Sequence, residues 1–181
     1  QSLIFKLLII SYWSPIASAI ICLVSGYILT GGLHIDGLMD TADGIGAGPS
    51  KRIEAMRDSR VGAIGVQSLI IILILQIAAI MKLDLLAPFA FPLSAFWGRL
   101  SQIFAIGNYE YIFKKESLSF HHEHWKGISK EIRPSLIILS IGIIFFLYLN
   151  NLNISNTLLL IYCIFSGLIT SILIPHLINK Y

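Results

Sequence analysis

Residues 62–81 read GAIGVQSLIIILILQIAAIM, a run without a single charge. A helix crossing the roughly 30 Å hydrocarbon core of a bilayer needs about 20 mostly apolar residues, and this stretch has that length. A helix lying at a protein–water surface shows polar side chains every third or fourth position; Leu69–Leu75 shows none. Taken alone, such a block also suits a buried core helix. Four more blocks remove that alternative: Pro15–Thr30, with Ser11–Ser14 leading in, Leu85–Gly107, Pro134–Asn150 and Thr157–Ile174. Leu3–Ser11 reads as the tail of one more.

Composition agrees. The chain is 56% hydrophobic and only 13% charged, where soluble domains carry about a quarter charged residues. The expected fold is therefore all-α: a single polytopic integral membrane domain over residues 1–181. It should have about five full transmembrane helices, part of one more, and a short cytoplasmic amphipathic helix at Ser50–Arg60. Gln1 opens inside an apolar run and Tyr181 follows directly on a span, so the chain is expected to be a piece of a longer one. The net charge of +3 is small and dispersed, which argues against nucleic acid as a partner. Cys22 and Cys163 lie in apolar blocks and read as small buried thiols. The spans leave homo-oligomerisation open.

Charge sets the expected topology. Segments 31–61 and 107–133 are separated by two spans and so share a side. They hold Lys51, Arg52, Arg57, Arg60, Lys114, Lys115, Lys126, Lys130 and Arg133, most of the 13 basic residues. Positive charge stays on the cytoplasmic side, so both polar segments are expected there, in a multi-pass protein of the cell (inner) membrane. All the acidic residues except Asp84 lie in the same two segments. Acidic residues hardly influence orientation, so their gathering on one side points to a site.

Thr30-Gly-Gly-Leu-His-Ile-Asp-Gly-Leu-Met-Asp-Thr-Ala-Asp-Gly44 carries that site. Asp36, Asp40 and Asp43 are spaced i, i+4, i+7 and fall within roughly 60° of arc on one helical face. Three anions so close raise one another's pKa unless a cation sits among them, and several carboxylates suit Mg²⁺, Mn²⁺ or Ca²⁺. Gly31, Gly32, Gly37 and Gly44 allow a backbone or a bulky phosphate to come near. His34 falls on another helical face. A basic helix follows, in which Arg57 and Arg60 are i, i+3 neighbours. Carboxylates for a metal and guanidinium groups for phosphate oxygens are the parts needed for phosphoryl transfer. Arg99, inside a span, is either a functional group or a side chain that snorkels to lipid phosphates.

Residues Gly31–Gly44, followed by Glu54-Ala-Met-Arg-Asp-Ser-Arg-Val-Gly62 and Gly65, closely resemble the cobalamin synthase (adenosylcobinamide-GDP ribazoletransferase) family. Gly98-Arg99 and its span are also similar to that family. The likeness of the other spans is mostly hydrophobicity. The resemblance implies a Mg²⁺-dependent membrane transferase that joins α-ribazole, or its 5′-phosphate, to adenosylcobinamide-GDP and releases GMP. It implies site roles for His34, Asp36, Asp40, Asp43, Arg57, Asp58 and Arg60. In that reading Asp36, Asp40 and Asp43 hold the metal, and one of them, Asp43 first, takes the proton of the attacking ribose hydroxyl. Arg57 and Arg60 face the diphosphate, and Gly32, His34, Asp58 and Arg99 help to bind the substrates.

Two departures stand out. The family continues past its last span into a Gly-Asp motif and carries further amino-terminal spans, both outside this chain. Met39 replaces a smaller residue. Other readings stay open. CDP-alcohol phosphotransferases use a related acidic motif, but here Asp36-Gly37 is followed by Leu-Met-Asp and not by their Ala-Arg signature. A cation transporter buries its carboxylates nearer mid-span, and a scaffold explains neither cluster. His121, His122, Glu123 and His124 are consecutive and do not converge on one zinc ion. With Trp125 and Tyr109 they read as an interfacial anchor, and His176 and Lys180 as membrane-boundary residues.

Overall fold

The computed structural model describes residues 1–83, 86–109, 124–149 and 154–180. Among these, every regular element is helical: α1 (Ser2–Ile10), α2 (Pro15–Leu29), α3 (Leu33–Gly46), α4 (Arg52–Arg57), α5 (Ala63–Leu83), α6 (Ala87–Asn108), α7 (Ile128–Leu149) and α8 (Ile154–Lys180). The chain packs as two units, Gln1–Phe91 and Pro92–Tyr181.

In the first unit, α1 and α2 form a hairpin. Ser14 caps α2 by accepting from the Ala17 amide, and Pro15 takes the first helical position, where its missing N–H costs nothing. Small side chains at Ser18, Ala19 and Cys22 let Phe5 settle between the helices, and Leu23, Ile80 and Ala87 complete a modest core. Tyr27 of α2 donates to Gln76 of α5 at 2.5 Å. The other face of α5 is open among the described residues: Ile70, Ile71, Ile74 and Leu75 are all at least half exposed. An apolar surface of that extent is what lipid covers.

Helix α2 ends where the sequence leads one to expect, but it is too short to span by itself. Its 15 residues rise about 22 Å, against roughly 30 Å of hydrocarbon. The Thr30 hydroxyl turns back onto the carbonyls of Gly26 and Tyr27. Gly31 and Gly32 then take φ of +62° and +74°, a region closed to most side chains. The chain bends by 89° into α3.

Three helices are long and apolar enough to cross a membrane: Ala63–Leu83, Ile128–Tyr148 and Thr157–Asn179. The bent α2–α3 pair makes a fourth if it counts as one broken span. Of the other expected spans, Leu3–Ser11 is the nine-residue α1. Leu85–Gly107 corresponds to α6, which has the length but also carries Arg99, Gln102 and two serines.

Several expected boundaries move. Helix α7 begins six residues before Pro134, and α8 runs on through Pro175. Proline reads as a boundary in the sequence, yet Pro92, Pro134 and Pro175 all lie inside helices. Membrane helices tolerate this because neighbouring groups and local adjustments satisfy the freed carbonyl. The basic helix expected over Ser50–Arg60 shrinks to the six residues of α4.

In the second unit, Trp97 of α6 covers Gly167 of α8, where a Cβ would run into the indole ring. Ile128 and Trp125, at the start of α7, close on Gly107 near the end of α6. Tyr109, just past α6, bonds His176 near the end of α8, Oη to Nδ1 at 3.2 Å. The ends of α6 and α8 are therefore neighbours.

Candidate active site

All three aspartates of the motif lie on α3, as the i, i+4, i+7 spacing predicts. The helix starts from left-handed Gly32, whose carbonyl accepts from both the Ile35 and Asp36 amides. Asp36 falls in the first turn, where the exposed N–H groups favour a negative charge. It is exposed, whereas Asp40 and Asp43 are partly covered.

The three carboxylates do not stay together. Asp43 reaches across to the start of α5: its Oδ2 accepts the Gly62 amide and its Oδ1 the Gly65 amide, each at 2.8 Å. These N–H groups belong to the N-cap and third positions of α5, two of the four that a helix leaves unmade at its N-terminus. One carboxylate from another helix thus does what a local capping box does. Among the described residues, no three His, Cys, Asp or Glu side chains converge as a metal cluster. The shared face expected from the spacing holds for the helix, and the Asp43 side chain is engaged there by the α5 amides. Asp36 and Asp40 stand one turn apart as hard oxygen donors, and that donor set suits a divalent cation of the Mg²⁺ class.

Glycines decide how closely α4 and α5 approach α3. Gly44 is buried, and a Cβ there would meet Met56 Cγ at 2.5 Å and Arg52 Cγ at 3.2 Å. Gly46 leaves room for Ile64 in the same way. A Cβ at Gly65 would lie 3.0 Å from the Met39 carbonyl. The sequence suggests Gly44 as room for a ligand, but α4 fills that space. Gly37 is different: it is exposed, it lies inside a helix, and a Cβ there would meet nothing within 4 Å.

The arginines depart furthest from expectation. Arg57 ends α4, and Asp58 is extended with ψ of 122°, so Arg60 lies outside the helix and not one turn above Arg57. The cause is local. Asp58 Oδ1 accepts the Arg60 amide at 3.0 Å, a side-chain turn that competes with helix continuation. Arg60 Nε and Nη2 close a fork on the same carboxylate, the shortest arm 2.6 Å, and hold the Asp58 carboxyl down at about 2. The Arg60 side chain is nevertheless 88% exposed. Arg52 is packed over Gly44, with its Nε shielded and without a hydrogen-bond partner among the described residues.

His34 is exposed in the first turn of α3. Arg99 lies in the second unit and donates to Gln102 Oε1 at 2.9 Å. His121, His122 and Glu123 fall outside the described residues. Gly62, Gly65, Met56 and Arg52 are the contributors that spacing alone misses as working parts. The one signal for them is the pair of glycines at the mouth of the α5 span.

No solved structure matches the chain. It is 47% identical over 181 residues to an adenosylcobinamide-GDP ribazoletransferase of Prochlorococcus marinus (strain SARG / CCMP1375), covering 99% of this chain and 70% of the relative. A second transferase of that name, from Prochlorococcus marinus (strain MIT 9303), is 37% identical with the same coverage. One from Desulforamulus reducens is 46% identical over 99 residues, 53% of this chain and 40% of the relative. The profile of the CobS family, cobalamin-5-phosphate synthase, matches residues 2–181, and the chain belongs to that family.

Proposed function

We propose that this chain transfers the cobinamide-phosphate part of adenosylcobinamide-GDP to α-ribazole, or to its 5′-phosphate, with release of GMP. The observation that carries the reading is the acidic helix α3, held at the start of a membrane span, with Asp36 and Asp40 one turn apart beside the uncovered Gly37. The names of the relatives favour it over a CDP-alcohol-type phosphotransferase and over a cation transporter.

We read α3 and α4 as lying at the cytoplasmic surface, outside the spans. The basic residues of 31–61 and 107–133 support that side, and the Tyr109–His176 contact supports the path of α6 to α8. Counting α2 with the flanking residues Ser11–Ser14 and Thr30 as one span, we keep the five spans and partial sixth read from the sequence for the membrane-embedded chain. At the surface, the Asp40 carboxyl is pushed above the usual range by partial burial, then by the charges of Asp36 and Asp43. Uncompensated repulsion of this kind is what a bound cation relieves.

Asp36 and Asp40 are the residues we assign to Mg²⁺. When bound, the ion neutralises diphosphate oxygens and stabilises charge as the phosphorus is attacked. The rest is done by the chain. One of the two carboxylates takes the proton of the attacking ribose hydroxyl. The new bond joins that oxygen to the phosphorus carrying cobinamide. The anhydride P–O bond breaks, and its oxygen and electron pair leave with GMP. Arg57 and Arg60 supply guanidinium groups for the developing charge. Gly32 and His34 lie at the start of α3, Gly37 lies within it and Asp58 follows α4, and we keep these with Arg99 of the second unit as substrate-binding groups.

The test is release of GMP from adenosylcobinamide-GDP by the full-length protein in proteoliposomes, with Mg²⁺ varied. Formation of GMP that depends on both α-ribazole and Mg²⁺ supports the assignment. Cation flux without GMP formation would replace it with the transporter reading.

A further inference from the structure

Spacing makes Asp43 the first choice for the base that takes the hydroxyl proton, yet its carboxylate is engaged elsewhere. Both oxygens accept backbone amides of α5, at 2.8 Å each. The bonds are charge-assisted, and they meet the positive end of a 21-residue helix. The surroundings are shaped to the carboxylate: all three nearest atoms to a Cβ at Gly62 belong to the Asp43 side chain, as does the nearest atom at Gly65. A side chain at either position would displace it.

We propose that Asp43 is a positioning residue that fastens the acidic helix to the mouth of the α5 span, and that handling of metal and phosphate falls to Asp36 and Asp40. The proposal rests on the reading of α3 as the metal-bearing helix. Helix α3 also packs against α5 and α4, and the Asp43 bonds add two charge-assisted ties to the first turn of α5. The acidic helix is preceded by a glycine bend and has little buried surface of its own, with only Gly44 fully covered. Without the Asp43 bonds, the direction in which Asp36 and Asp40 point is left to van der Waals packing, at Gly44, Gly46 and Gly65 among other contacts.

Gly62→Ala is the informative variant, because it changes no carboxylate in the sequence and its three nearest contacts are all atoms of the Asp43 side chain. In the full-length enzyme, Gly62→Ala and Asp43→Asn should each lower kcat at least tenfold, while the Mg²⁺ concentration for half-activity changes less than twofold. Asp40→Asn should instead shift that Mg²⁺ requirement at least tenfold. Combining Asp43→Ala with Gly62→Ala should be no worse than Asp43→Ala alone, because the alanine then has nothing to strike. Hydrogen exchange gives a readout apart from activity: the Gly62 and Gly65 amides should lose protection in Asp43→Asn, by at least tenfold in rate, with α7 and α8 unchanged. The idea is overturned if Gly62→Ala keeps wild-type turnover, or if Asp43→Asn shifts the Mg²⁺ requirement as far as Asp40→Asn. If turnover needs no divalent cation at all, the metal reading of α3 fails, while loss of amide protection in Asp43→Asn would still establish the clamp.

Discussion

Gly37→Ala separates stability from activity in opposite directions. Glycine inside a helix is unfavourable relative to alanine by roughly 0.5–1 kcal/mol, because the unfolded chain has more freedom to lose. Gly37 is exposed in the middle of α3, it is not among the glycines with positive φ, and a Cβ there would touch nothing within 4 Å. Nothing in the fold therefore offsets the gain, and the variant should be more stable by about 0.5–1 kcal/mol, or ~2–4 °C in Tm at most for a chain of this size. The glycine lies about 60° round the helix from Asp40. If the diphosphate rests there, a methyl group enters its space, and turnover should fall at least tenfold, or about 1.4 kcal/mol, with a higher KM for adenosylcobinamide-GDP. Thermal unfolding in detergent and GMP release in proteoliposomes measure the two effects on one preparation. A higher Tm with full activity would show that no ligand approaches this face, and would remove Gly37 from the site. A lower Tm would mean that α3 is packed differently from the structure described.

Three further outcomes follow from the same geometry. Asp40→Asn should lower transfer at least tenfold at the Mg²⁺ level that saturates the wild type and leave membrane insertion intact, since it removes both a ligand and its charge; near-normal turnover would exclude Asp40 from the metal. Cysteines at Ser50 and Ser117 should be labelled by an impermeant reagent only from the cytoplasmic side, and labelling of either from outside would reverse the topology. Arg60→Lys should lower the transfer rate at least tenfold, because an ammonium cannot reproduce the two-armed fork that Arg60 makes on Asp58 or would make on phosphate; a rate within twofold of wild type would make this arginine dispensable.

The helices are legible in the sequence because an uninterrupted apolar run has one common solution in a bilayer. The run at 62–81 becomes α5 within two residues at either end. Proline and glycine are less legible, since their meaning depends on neighbours. Pro134 and Pro175 look like boundaries in a chain and are interior to α7 and α8. The basic segment departs for another local reason. Helical spacing puts Arg57 and Arg60 together, but Asp58 has a second option, to bond the backbone two residues on, and that option wins.

The aspartates show where a pattern stops being informative. Asp36, Asp40 and Asp43 are equal in chemistry and share a helical face, so spacing gives no ground for separating them. What separates them lies about twenty residues downstream, where two glycines at the start of α5 expose amides that would otherwise go unmade at a membrane boundary. Such amides are costly in a setting poor in water, and a carboxylate on a neighbouring helix is a strong acceptor for them. Asp43 faces these amides and Asp36, two turns earlier on α3, does not. The cost of leaving a span's first turn uncapped therefore engages one member of the triad, and in our proposal contact with a ligand falls to the other two.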